Sequence, residues 1–122
     1  TREIYGLDLR ADLVVMSACR SGAGKISGDG IIGLTRAFFY AGVPSLVATL
    51  WDLADEPARF MVPRFYSAWL KTHDKAGALR TAQIDLIRAL RAGELKVRTP
   101  LGDVALPERP ALWAAFVLVG QP

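Results

Sequence analysis

The 122-residue chain holds one cysteine, Cys19, and one histidine, His73. Cys19 sits in Ser17-Ala18-Cys19-Arg20-Ser21-Gly22, directly after the apolar residues Leu13, Val14, Val15 and Met16. Small neighbours and a glycine leave a sulfur room and let a substrate backbone approach. In a suitably turned loop the N–H of Cys19 itself can face a developing oxyanion. A thiol in this role needs a base to become thiolate at neutral pH. The competing reading is a buried cysteine acting as a small hydrophobe. His73 lies in Lys71-Thr72-His73-Asp74, polar on both sides. It reads as a surface residue beside a helix start rather than as that base. The chemistry Cys19 implies is therefore incomplete within these residues.

Phosphate-binding signals are weaker. Gly24-Lys25 resembles the end of a Walker A motif, but Cys19 stands where that motif needs glycine and Ile26 where it needs Ser or Thr. No G-x-S-x-G occurs, so a serine nucleophile elbow is absent. Residues 28–33 do match G-x-G-x-x-G, with Asp52 about 20 residues further on. A dinucleotide-binding module would use these glycines to turn the chain directly off a strand. Residues 18–27 intervene between the expected strand end and Gly28, which argues against it.

The elements that must position Cys19 follow from hydrophobic spacing. Residues 13–16 are continuously apolar and rich in β-branched side chains, as in a strand buried on both faces. Residues 20–29 read as a loop. Ile31, Leu34, Phe38 and Phe39 have near-helical spacing, with Gly42 as the C′ residue and Pro44 blocking continuation. Residues 45–51 give a second buried strand. Strand, helix, strand with short connections predicts a βαβ unit with parallel neighbours. Asp55 suits an N-cap, with Pro57 in the first turn and Phe60, Met61, Phe65, Trp69 and Leu70 as an apolar face. Pro63 should kink that helix or delay its start. Asp74 caps a further helix over 75–92, with Leu79, Ala82, Leu86 and Leu90 on one stripe. Arg80, Ile84, Arg88 and Arg91 lie opposite, as a solvated face rather than a nucleic-acid surface. Residues 93–111 read as a loop in which 101–106 form a short hairpin arm. Residues 113–119 (WAAFVLV) predict a third buried strand. The result is an α/β sandwich with a parallel sheet and helices on both faces.

Composition bounds the answer. The length fits one domain over residues 1–122, and 52% apolar residues exclude disorder. No apolar run reaches the roughly 18 residues of a membrane span, so no membrane partner is expected. A single cysteine and no signal peptide fit an intracellular, cytoplasmic setting. A net charge of +3 is too mild to imply nucleic acid. The chain begins at Thr1 rather than Met, which reads as a processed or trimmed piece of something longer.

Three blocks in order then resemble one family: DLVVMSACRSG (12–22), GDGIIGLTRAFFYAGVPSLVATLWDLADEPARFMVPRFY (28–66) and WAAFVLVG (113–120). Together they look like the C-terminal half of a CHAT domain. That family is grouped with caspases, separases and gingipains and is associated with TPR repeats. SAC-x-SG is similar to the caspase block Q-A-C-[RQG]-G. The resemblance implies a partial caspase-like three-layer sandwich and a cysteine endopeptidase with no metal or organic cofactor. Cys19 would be the nucleophile and Gly22 part of the loop shaping the oxyanion and S1 region. Asp52 and Asp55 would lie near an S1 pocket and favour a basic P1 residue. The family's catalytic His, with the glycine after it, comes from an upstream strand end. No His precedes Cys19 here. The expected partners are a peptide or protein substrate, the N-terminal part of the same domain, TPR repeats in the parent protein, and further copies of the chain. A non-enzymatic interaction module is the alternative.

Overall fold

The computed structural model describes residues 2–8, 10–16 and 28–122. In chain order the elements are α1 (Arg2–Tyr5), β1 (Val14–Met16), α2 (Gly28–Tyr40), β2 (Ser45–Thr49), α3 (Asp55–Thr72), α4 (Lys75–Arg91), β3 (Lys96–Thr99), β4 (Gly102–Ala105), α5 (Pro110–Trp113) and β5 (Phe116–Gly120). They form an α/β arrangement around a three-stranded sheet of order β1-β2-β5, with β3 and β4 as a separate hairpin.

β2 is the centre of the sheet. All five of its residues are buried, as expected for a strand covered on both faces. It runs parallel to β1, with Val14 opposite Leu46 and Met16 opposite Ala48. Side chains alternate along a strand, so Val47 faces one layer while Leu46 and Ala48 face the other. Val47 belongs to the main core with Met61 and Phe65 of α3, Leu79, Ala82, Leu86 and Leu90 of α4, and Phe116. Leu46 and Ala48 are equally buried but lie outside that cluster, as do Ala37, Ala41 and Val43 on and after α2.

α2 ends as its residues dictate. The N–H of Gly42 (φ +101°) reaches the Phe39 carbonyl and that of Val43 the Phe38 carbonyl, a Schellman termination. Gly93 (φ +70°) ends α4 the same way, with N–H bonds from Gly93 to Leu90 and from Glu94 to Ala89. At the start of α4, Asp74 accepts a hydrogen bond from the Gly77 N–H at 3.1 Å.

Five expectations need correction. β5 is antiparallel to β2, pairing Phe116 with Thr49 and Gly120 with Ser45, so the sheet is mixed rather than parallel. A short apolar run specifies burial but not direction. Direction comes from α4, which returns the chain to the edge where β1 and β2 end, so the last strand starts there. Ala54, not Asp55, is the N-cap of α3, and it offers no side-chain bond. Pro63 neither delays nor divides α3, which runs unbroken past it. Leu70 belongs to no apolar face, being 71% exposed. Residues 96–105 also form a fuller hairpin than one arm, with Val97 opposite Val104.

Candidate functional site

The parallel register of β1 and β2 fixes where a site can be. Both strands leave the sheet at one edge, since Met16 pairs with Ala48 one residue before β2 ends. Sites of open α/β sheets are built at this carboxyl edge. β1 delivers the chain there to residues 17–27. Cys19 and Gly22 fall in that stretch and lie outside the described residues.

The loop leaving β2 forms the described part of the edge. The Leu50 N–H bonds the Ala115 carbonyl at 2.8 Å, continuing the β2–β5 ladder past Thr49. The Trp51 indole Nε1 donates to the Ala111 carbonyl at 2.8 Å and clips the loop to α5. Leu53 is buried and anchors its far side. Between these fixed points Asp52 is exposed, and Asp55 is exposed in the first turn of α3. Trp51 remains 40% exposed despite its hydrogen bond, and Leu50 is exposed beside it. The edge thus carries two carboxylates next to an apolar lip, a combination suited to a cationic side chain with an aliphatic stem.

His73 takes no part in this edge. It is exposed at the C-cap of α3 in the left-handed region (φ 54°). Two residues later Lys75 reaches back to the amino ends of the strands, bonding the Asp12 carbonyl at 3.0 Å and Ser45 Oγ at 2.7 Å. His73 therefore sits at the edge opposite the exit of β1. Among the described residues no cluster of His, Cys, Asp or Glu could hold a metal ion. α2 begins at Gly28, so the three glycines of residues 28–33 fall inside a helix rather than on a turn leaving a strand.

Two features of the sequence gave no warning of their roles. Trp51 read only as the end of an apolar run, yet it fastens the edge loop. Lys75 read as an ordinary first helical residue, yet it is buried. Its ammonium group donates to two oxygens and lies 5.6 Å from the Trp69 ring centroid. The Ser45 hydroxyl in turn donates to the Gln121 carbonyl at 2.6 Å.

The model of the CHAT domain family matches residues 1–121. The chain belongs to the CHAT domain family. This CHAT domain is also similar to tetratricopeptide repeat protein 28 of Homo sapiens and of Mus musculus, at 27% identity over 119 residues in each case. Those alignments cover 98% of this chain and 4% of either relative. No solved structure matches it. Among the described residues no helix is long and apolar enough to cross a membrane.

Proposed function

We propose that this CHAT domain is the catalytic-cysteine half of a caspase-like cysteine endopeptidase, active together with a His-bearing segment of its parent protein. What supports the reading is the convergence at one sheet edge. β1 ends, three residues before Cys19 in the sequence, at the same edge where Trp51, Asp52 and Asp55 are held. In this mechanism the Cys19 thiol gives its proton to the His, and the thiolate attacks the scissile carbonyl carbon. Backbone N–H groups around Cys19 and Gly22 hold the resulting oxyanion. The C–N bond breaks as the amine takes the proton, leaving a thioester that water then hydrolyses. Asp52 and Asp55 receive a basic P1 side chain, and no metal or organic cofactor takes part.

With His73 at the far edge, the 122 residues alone lack base assistance. A cysteine with its ordinary pKa of about 8.5 is only a few per cent thiolate at pH 7. Losing general-base help costs roughly 10²–10⁴ in rate. That same placement of His73 favours the second reading, a CHAT-type interaction module without catalysis. In the parent protein the domain works beside tetratricopeptide repeats, as the name of its human and mouse relatives suggests.

The deciding experiment uses the full-length parent. Cys19→Ala should abolish peptide cleavage while circular dichroism stays native. Undiminished cleavage would remove Cys19 as nucleophile, and a parent inactive on a broad peptide library would favour the interaction module. Asp52→Asn and Asp55→Asn should reduce cleavage after Arg or Lys relative to other residues. An unchanged preference would remove these carboxylates from S1.

A further inference from the structure

α3 and α4 are antiparallel neighbours joined by His73 and Asp74. The first half of α3 therefore lies beside the last turns of α4. Along this seam opens a groove of about 420 Å³, lined by Phe60, Arg64, Asp85, Arg88, Ala89, Ala92 and Glu94. That volume is within the range of sites for small ligands, roughly 300–1,000 Å³. Ala89 and Ala92 create the room, because neither side chain extends into it.

The charges around the groove are arranged unusually. Arg64 and Arg88 bring guanidinium groups from the two helices, while Asp85 and Glu94 bring carboxylates from α4 and the turn after it. None of the four makes an ion pair with another described residue. The ion pair close by, Arg91 with Glu108 at 3.8 Å, lies outside the lining. Arg64 is also pre-set: its guanidinium carbon lies 3.6 Å above the centroid of the Phe60 ring. A stacked guanidinium loses less side-chain entropy when it takes a planar acceptor, and its fork matches a carboxylate.

We infer that this groove binds a short peptide segment carrying a carboxylate side chain close to a cationic one. The carboxylate is taken by Arg64 and Arg88, and the cation by Asp85 and Glu94. A purely anionic ligand would meet the two acids, and a purely cationic one the two arginines. The segment of mixed charge satisfies both signs at once. The inference does not depend on Cys19 or on peptide cleavage.

The test is titration of the isotopically labelled 122-residue chain with N-acetyl-Glu-Ala-Lys amide, followed by amide NMR. N-acetyl-Gln-Ala-Met amide serves as the uncharged control. Saturable shifts at residues 60–64 and 85–94 are expected from the charged peptide only. Arg64→Gln and Asp85→Asn should each weaken binding about tenfold, the usual loss for one charge-assisted hydrogen bond. Both sites are at the surface of the seam, and native spectra of the free variants confirm their folding. Equal response to both peptides, shifts elsewhere in the spectrum, or no shift at millimolar peptide would overturn the proposal.

Discussion

Lys75 and Ser45 illustrate how much one buried polar pair can hold together. Ser45 is fully buried, and its hydroxyl links the Lys75 ammonium to the Gln121 carbonyl. Ser45→Ala leaves the buried Lys75 ammonium with the Asp12 carbonyl as its one remaining oxygen and removes the donor to the Gln121 carbonyl, so chemical denaturation should show a loss of about 1–3 kcal/mol. No loss would mean that water replaces the hydroxyl. Asp74→Ala removes the side-chain cap of α4 and should cost about 1 kcal/mol by the same measurement. Gly120 lies at φ +104°, and a Cβ there would collide with the Pro44 carbonyl oxygen. Gly120→Ala should therefore lower the melting temperature markedly more than Gly33→Ala, whose Cβ would meet nothing. The Asp74 cap was legible because acid, glycine and periodic leucines follow in order. Asp55 misled because Ala54 carries no capping signal, leaving the acid one residue later as the only candidate. Lys75 was illegible, since burial of a cation depends on carbonyls brought from distant parts of the chain.

At the scale of elements, α3 carries the clearest internal conflict. Pro63 lies deep inside the helix and is exposed, so the chain forgoes one backbone hydrogen bond there. The packing of Met61 and Phe65 against α4 outweighs that loss. Pro63→Ala should stabilise the domain by about 1–3 kcal/mol in thermal or urea unfolding. Destabilisation instead would show that the proline rigidifies the unfolded chain more than it weakens the helix. In α4, Leu86→Ala opens a fully buried position and should cost about 2–5 kcal/mol. The stripe Leu79, Ala82, Leu86, Leu90 was legible because periodicity and burial agree along the whole helix. β5 was legible as a buried strand but not in direction, which the route of the preceding elements decides.

For the whole molecule, stability is unevenly spread. The sheet, α3 and α4 share one core, whereas β3 and β4 pair only with each other and expose every residue of β4. Leu101 at the tip of that hairpin is fully exposed. In β3 only Val97 and Thr99 are half-buried, and a two-stranded ribbon so thinly covered is marginal in water. Amide exchange over residues 96–105 should thus proceed through local opening well before β2 and the middle of α4 exchange. Simultaneous exchange of both regions would show the hairpin to be part of the cooperative unit.

The clip between the Trp51 indole and the Ala111 carbonyl supplies an optical handle on the rim where cleavage would occur. A Trp69→Phe, Trp113→Phe double variant keeps Trp51 as the single indole fluorophore. A peptide settling over the rim should shift its emission to the blue and shield it from acrylamide. An emission spectrum indifferent to saturating peptide would place the bound chain away from this rim.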